Sequence, residues 1–210
     1  MAKLALPSLA HLPAEAAHSG IREIGNEAIR TPGAIQLQVG QPNFPTPLHI
    51  KEAGKRAIDE NMTFYTHTQG LLSLREKLAA KLERVNGIHV TPDQIATTPG
   101  GVGAIAAVFA AILEPGDEVL LPDPGWPNTR IMLSWTGTRG VYYPCPPSNK
   151  FEPDLDALER LVTPRAKLLL INSPNNPTGA VYPVETIQRL IGIAQRHTRR
   201  LTRLILVSFC

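Results

Sequence analysis

Cysteine is scarce in this sequence, and long apolar runs are missing. Two cysteines among 210 residues, Cys145 and Cys210, are too few for a disulfide framework, so a reducing compartment is expected. No apolar run reaches the roughly 20 residues that a membrane-spanning helix needs. Pro7 and His11 interrupt the opening apolar stretch, which argues against a secretory signal peptide. We therefore expect a cytoplasmic protein with no membrane partner.

An excess of charge of one sign is also missing from most of the chain. The formal net charge is +3, but the last thirteen residues, TRRLTRLILVSFC, hold three arginines and no acid. The remainder is therefore neutral, which gives no indication of a nucleic-acid partner. The six histidines are far apart along the sequence and lack the spacing of metal ligands, so no metal site is expected.

The chain does contain a regular alternation of helical and apolar strand-like segments, with Pro and Gly at the turns. Helices are predicted at residues 104–113, 129–137, 154–162 and 184–197, and strands at 94–98, 117–123, 138–144, 166–172 and 203–208. This alternation predicts an α/β fold with a mostly parallel sheet and helices on both faces. Trp135 lies on a helical pattern and is predicted to be a core residue.

The segment before residue 94 is predicted to be mainly helical. Helices are expected at residues 20–30, 48–60 and 73–87, with a short strand at 34–40. The helix at 73–87 has the clearest apolar face, formed by Leu74, Leu78, Leu82 and Val85. Ser73 and Glu76 match a capping box at its start, and Gly87 can end it.

Two polar loops follow predicted strands and are therefore expected at the carboxyl ends of the sheet, where parallel α/β folds bind ligands. The first, PGG at residues 99–101, precedes a helix whose free N–H groups predict a phosphate site. Gly101, Gly103 and Ala106 with Asp123 also match a dinucleotide-binding fingerprint, so a Rossmann NAD(P)-binding module stays an alternative. The second loop is NSPNNPTG, at residues 172–179.

Several motifs occur in an order that resembles the class I/II aminotransferases, pyridoxal 5′-phosphate enzymes with the aspartate-aminotransferase fold. They are LQVGQPNFPTP, FYTHTQGLLSLREKLA, TTPGGVGAI, PGDEVLLPDPGWP and FEPDLDALERLVTPRAKLLLINSPNNPTGAVYP. The resemblance implies transfer of an amino group between an amino acid and a 2-oxo acid. It also implies a pyridoxal-phosphate-binding large domain at residues 46–210, after an N-terminal arm and part of a small domain at residues 1–45.

The resemblance assigns roles in cofactor binding to four residues of this chain. Asn176 matches the Asn that donates to the phenolic oxygen of the cofactor, and Pro174 and Pro177 stiffen its loop. Its neighbour Asn175 is expected to form only a local Asx turn. Trp126 matches the aromatic residue that stacks on the pyridine ring. Gly101 and Val102 match the positions that bind the phosphate through backbone N–H groups.

Two further roles follow from the same resemblance. Tyr65 matches the Tyr that reaches the phosphate of the partner subunit's cofactor, which implies a homodimer with active sites at the interface. Gly40 matches the Gly beside the substrate carboxylate. Relatives often carry acids where Gln41 and Asn43 stand.

The family also carries residues that have no match here. These are an Asp for the pyridinium nitrogen, in Asp-Glu-x-Tyr, and a Schiff-base Lys, in Ser-x-x-Lys. None of the seven lysines lies in that context, so no catalytic residue is identified. We expect the N-terminal half of an aminotransferase, ended by a frameshift or truncation and inactive in this form. Another pyridoxal-phosphate reaction, such as β-lyase or decarboxylase chemistry, and a non-catalytic fragment that pairs with an intact subunit stay open as alternatives.

Overall fold

The computed structural model describes residues 20–40, 42–197 and, as backbone alone, 203–207. The predicted N-terminal arm up to residue 19 and Cys210 lie outside these residues. The described chain divides into two compact units, residues 20–104 and residues from 105 onward. The division predicted at residue 45 stays a prediction.

The first unit is helical, as predicted. Its helices are α1 (Gly20–Arg30), α2 (Leu48–Asp59) and α3 (Leu72–Lys81), followed by a π-helical turn (Leu82–Asn86) and a 3₁₀ turn (Pro92–Gln94). The strands predicted at 34–40 and 94–98 are wrong, because both segments are irregular. A strand needs a series of backbone hydrogen bonds to a neighbouring strand. Among the described residues of this unit, segment 94–98 makes one backbone bond to another segment, from the Thr97 N–H to the Gln69 carbonyl at 2.9 Å.

Helix α3 buries a charged side chain. It begins at Leu72, with Leu71 at its N-cap and no capping side chain, so the capping box predicted for Ser73 is wrong. Leu74 and Val85 are exposed, against the predicted apolar face. Arg75 is buried instead, and its guanidinium donates to the carbonyl oxygens of Gly70 (3.2 Å) and Pro92 (2.8 Å). The predicted C-terminus is confirmed, because Gly87 adopts φ +65° there.

The second unit is the α/β layer that the sequence predicts. Helix α4 (Gly100–Ile112) leads into it from the first unit. The elements that follow are β1 (Glu118–Asp123), α5 (Pro127–Ser134), β2 (Arg139–Pro144), α6 (Leu155–Arg160), β3 (Ala166–Asn172), α7 (Val184–Arg196) and β4 (Arg203–Val207). The strands pair in the order β2-β1-β3-β4, and every pairing is parallel. The parallel α/β fold is therefore confirmed.

The central strands β1 and β3 are buried on both faces of the sheet, and their successive residues point to opposite sides. On one face, a core forms from Ile105, Phe109, Val119, Leu121, Met132, Leu133, Leu168 and Leu170. On the other face, a core forms from Leu120, Tyr143, Leu155, Leu158, Leu169, Ile171, Leu190 and Ile193. Helices α4 and α5 thus cover one face, and α6 and α7 cover the other.

Trp135 corrects the predicted core. Its side chain is 63% exposed. Helix α5 ends at Ser134, and the buried positions of that helix are Thr129, Met132 and Leu133. Trp135 comes one residue after the helix, so the helical pattern that predicted its burial does not extend to it.

A buried carboxylate lies at the amino-terminal edge of the sheet. Glu118, the first residue of β1, is 2% exposed. It accepts hydrogen bonds from the Thr163 hydroxyl and from Arg165, whose Nη2 lies 2.8 Å from Oε1. Arg139, its register partner on β2, lies at 4.0 Å. These partners provide the opposite charge and the donors that a buried carboxylate requires.

Candidate active site

The order of the strands places a crevice between β1 and β3. From β1 the chain moves outward to β2, whereas from β3 it moves outward in the opposite direction to β4. Helices α5 and α7, which make these two connections, lie on opposite faces. Such a reversal separates the loops at the carboxyl ends of the two strands and is where open α/β sheets bind ligands. The loop after β1 carries Trp126, and the loop after β3 carries Asn176.

Asn172 shapes the start of the loop after β3. It is the last residue of the strand and is buried. Its Oδ1 accepts from the Asn176 N–H at 2.9 Å, and its Nδ2 donates to the Pro174 carbonyl at 3.1 Å. A strand-end side chain therefore fixes the backbone of the residue that the sequence predicts to bind the cofactor.

The side chain of Asn176 is available for a ligand. The residue is exposed. Its backbone N–H is bonded to Asn172, but within the described part of the chain its side-chain amide makes no hydrogen bond. A neutral amide with free N–H groups can donate to an oxyanion without adding charge. Pro177 and Pro174 flank this part of the loop, and both follow cis peptide bonds.

Asn175 joins the two loops. Its Nδ2 donates to the Pro124 carbonyl at 3.1 Å, across 51 residues of sequence, and to the Thr178 hydroxyl at 2.9 Å. Asn175 is therefore more than the local turn that sequence reasoning assigned to it. The crevice has a direct tie between its two sides.

Trp126 lies at the start of α5, where it forms the N-cap. Its carbonyl accepts from the Thr129 hydroxyl at 2.6 Å. The indole is half-buried and packs against the core on the α4/α5 face. A partly exposed aromatic ring that is held by a core suits stacking on a flat ligand.

The predicted phosphate residues lie in the first turn of α4, in the first unit. Gly100 adopts φ +75°, which favours glycine. A Cβ on Gly103 would lie 3.3 Å from both Thr98 and Pro99, so a side chain there would require these neighbours to shift slightly. Gly101 and Val102 are exposed, and the N–H groups of a first helical turn have no partner inside the helix.

Tyr65 and Gly40 also lie in the first unit, and both are exposed. Tyr65 is fully accessible on an irregular segment between α2 and α3. Gly40 lies in the irregular segment before α2. The structure therefore brings Trp126 and Asn176 into adjacent loops of one unit, whereas the roles of Tyr65, Gly40, Gly101 and Val102 stay predictions.

Two titratable groups lie behind the crevice. The N–H of Cys145 donates to the Asp123 carbonyl at 2.8 Å, and its Sγ lies 3.8 Å from the Tyr182 hydroxyl. Burial raises the pKa of the Cys145 thiol and raises the pKa of the Tyr182 phenol strongly. Both groups stay protonated at neutral pH, so neither supplies a nucleophile or base. They belong to the core that supports the site.

Metal-ligating clusters and membrane-spanning helices were sought among the described residues. No group of three His, Cys, Asp or Glu side chains among the described residues is placed to hold a metal ion. Among the helices that the structure describes, none is long and apolar enough to cross a membrane.

Comparison with known proteins identifies the family. The sequence matches the family model of aminotransferase class I and II over residues 32–202. An aspartate/prephenate aminotransferase of Thermus thermophilus is 44% identical over 163 residues, which are 78% of this chain and 42% of that protein. An aromatic-amino-acid aminotransferase of Thermococcus litoralis is 38% identical over 180 residues, 85% of this chain and 46% of that protein.

The fold agrees with this match. A solved aspartate aminotransferase from Thermus thermophilus with maleate superposes with a TM-score of 0.87 at 37% identity, over 97% of this chain and 53% of that chain. The chain belongs to the class I and II aminotransferase family and has the α/β fold of that family. It spans about half the length of the curated relatives it matches.

Sequence reasoning missed the residues that hold the site together. Asn172 and Asn175 act through partners that no local pattern identifies. Ser173 Oγ accepts from the Tyr182 N–H at 2.9 Å, which returns the chain toward α7. The only sequence signal for these roles was the density of short polar side chains after a buried strand.

Proposed function

We propose that this chain supplies the cofactor-binding part of a pyridoxal 5′-phosphate-dependent aminotransferase. The observation that carries the proposal is the crevice between β1 and β3, where an unpaired amide on Asn176 and the half-buried indole of Trp126 lie on loops joined by Asn175. Membership of the aminotransferase family supports it.

The residues of the crevice fit the chemistry of pyridoxal phosphate. Asn176 would hold the phenolic oxygen, since its exposed amide donates without adding charge. Trp126 would cover one side of the pyridine ring. For Gly101 and Val102, which lie in the first unit, binding of the phosphate through backbone N–H groups is proposed from the family resemblance alone. When bound, the cofactor supplies an electron sink for chemistry at the α-carbon of an amino acid.

The substrates that we propose are amino acids and 2-oxo acids. Relatives named as aspartate/prephenate and aromatic-amino-acid aminotransferases make acidic and aromatic amino acids the first donors to test. Gly40 would lie beside the substrate carboxylate. Tyr65 would bind the phosphate of the partner subunit's cofactor in a homodimer. Its side chain is fully exposed in this single chain, so it is accessible to a partner.

Amino transfer also needs a base that moves a proton at the α-carbon. None of the seven lysines lies in the Ser-x-x-Lys context of the family. Cys145 and Tyr182 stay protonated at neutral pH. We therefore expect these 210 residues alone to bind the cofactor without transferring amino groups.

Equilibrium dialysis with pyridoxine 5′-phosphate tests the cofactor site. This probe lacks the aldehyde, so it does not react with surface lysines. We expect saturable binding by the chain, loss of affinity in Asn176→Ala, and no competition from NAD. Asn149→Ala, on an exposed turn of the second unit, is the matched control. Binding that NAD displaces, or equal binding by both variants, would contradict the proposal.

An amino-transfer assay tests the expected inactivity of the chain. The chain is incubated with pyridoxal phosphate, 2-oxoglutarate and either L-aspartate or L-phenylalanine, and glutamate is measured. No formation of glutamate above the rate with free pyridoxal phosphate is expected. Turnover by the chain alone would show that one of its own residues is the missing base.

A further inference from the structure

We propose that Asn175 is a positioning residue that holds the loop after β3 against the loop after β1, and so sets Trp126 relative to Asn176. This inference deepens the proposed function and rests on it. Asn175 directly follows Pro174, the first of the two cis-prolines of NSPNNPTG. From the sequence it was predicted to form only a local turn.

Asn175 uses both hydrogens of its side-chain amide. The Asn175 amide donates one bond within its own loop, to the Thr178 hydroxyl at 2.9 Å. It donates another to the Pro124 carbonyl at 3.1 Å, on the loop after β1. An NH₂ group carries two hydrogens, whereas a Ser or Thr hydroxyl carries one. A local turn alone does not require both.

The side-chain oxygen of Asn175, in contrast, is a buried acceptor. Asn175 is 3% exposed, and its Oδ1 has no hydrogen-bond partner among the residues that the structure describes. Leaving a buried acceptor unpaired is unfavourable, and native proteins contain few such groups. The unpaired Oδ1 therefore reduces how much Asn175 stabilises the loop. The tie to Pro124 is a reason for an Asn here despite that loss.

Each end of the bond between Asn175 and Pro124 lies close in the chain to a proposed cofactor residue. Trp126 is two residues from Pro124, and a side chain on the intervening Gly125 would collide with the Pro122 carbonyl oxygen. The turn is therefore compact, and a shift of Pro124 moves the indole. On the other side, Asn176 follows Asn175 directly, and its N–H is held by Asn172 Oδ1 at 2.9 Å.

Asn175→Ser tests the proposal in a chain that also carries Trp135→Phe, so that Trp126 is the only fluorescent indole. The introduced hydroxyl is too short, and has too few hydrogens, to donate to both partners. We expect a shift of the Trp126 emission and about tenfold weaker binding of pyridoxine 5′-phosphate, with an unchanged circular dichroism spectrum. Asn149→Ser is the matched control, because its amide donates only within its own turn, to the Glu152 carbonyl at 3.2 Å. The control is expected to change neither quantity.

A double-mutant cycle separates positioning from general loosening of the loop. In chains that carry Trp126→Ala, the effect of Asn175→Ser on affinity is expected to fall to less than half, because the ring that Asn175 positions is gone. An undiminished effect would overturn the proposal. So would an emission spectrum and affinity equal to those of the control. Asn175→Ala, which has neither a donor nor a charge, repeats the test if the Ser variant does not fold.

The experiment also distinguishes this inference from the proposed function. If the unmodified chain does not bind the probe, the proposed function fails, and the emission of Trp126 alone decides whether Asn175 holds the loop. If the chain binds the probe but Asn175→Ser changes neither emission nor affinity, the proposed function stands and the role of Asn175 is wrong.

Discussion

Replacing Glu118 with Gln removes a buried negative charge from the amino-terminal edge of the sheet, while the shape of the side chain is kept. Glu118 accepts bonds from Thr163 and from Arg165, at 2.8 Å from Nη2 and 3.3 Å from Nε. Bonds to charged groups contribute about 1.5–3 kcal/mol each. Gln retains one acceptor, and Arg165 is 64% exposed and can be hydrated again. We therefore expect a loss of about 2–3 kcal/mol in the free energy of unfolding.

The loss depends on pH in a defined direction. Burial raises the pKa of Glu118, but the bonds from Thr163 and Arg165 and the charges of Arg165 and Arg139 outweigh it and hold the pKa below its ordinary value of 4.5. A carboxylate whose pKa is lower in the folded state contributes its full stability above its ordinary pKa. That contribution is lost as the pH falls through the lowered value. The difference between wild type and Glu118→Gln should therefore be constant near pH 7 and shrink below pH 4.5.

Urea unfolding followed by circular dichroism measures this difference at pH 7 and at a series of acidic pH values. Glu159→Gln is the matched control, because Glu159 pairs with Arg196 at 2.9 Å and its side chain is 39% exposed. Exposed pairs contribute about 0–1 kcal/mol. Equal losses in the two variants, or a Glu118→Gln loss that stays constant into acid, would refute the reasoning.

Three further substitutions test the core, a turn and the site. Phe109→Ala removes a fully buried side chain and should cost about 3–5 kcal/mol in urea unfolding, and a loss below about 1 kcal/mol would contradict the assigned core. Gly70→Ala should cost about 1–3 kcal/mol, because Gly70 has φ +95° and its Cβ would collide with Thr97 Oγ1; an unchanged midpoint would contradict this. Asn176→Ala should weaken pyridoxine 5′-phosphate binding about tenfold and change stability by less than about 0.5 kcal/mol, since its side chain is exposed; a large loss of stability instead would mean a structural role.

The second unit could be predicted from the sequence because its elements have strong local patterns. Strand β3 is a continuous apolar run, which is typical of a parallel strand buried on both faces. Asp154 was expected to start a helix, and its Oδ1 accepts from the Ala157 N–H at 2.9 Å. The strand predictions for residues 34–40 and 94–98 were wrong. A strand also needs a neighbouring strand to pair with, and local composition does not indicate one.

The candidate site also has a part that the sequence predicts and a part that only the structure shows. Asn176 and Trp126 were predicted from motifs, and the structure places Asn176 on the loop after β3 and Trp126 on the loop after β1. The bond from Asn175 to Pro124 joins residues 51 apart, and no spacing rule connects them. Arg75 is similar, since its burial depends on carbonyl oxygens such as that of Pro92, 17 residues away. Contacts of this kind depend on the folded chain and therefore appear only in the structure.

The central claim is that the crevice between β1 and β3 binds the cofactor ring against Trp126. Two variants that each keep one Trp test it most directly. Trp135→Phe keeps the indole of Trp126 at the crevice. Trp126→Phe keeps the exposed indole of Trp135 after α5. Both are titrated with pyridoxine 5′-phosphate while the indole fluorescence is followed. The account predicts saturable quenching in the chain that keeps Trp126 and much weaker quenching, at lower affinity, in the chain that keeps Trp135. Equal quenching of both, or none in either, would contradict it.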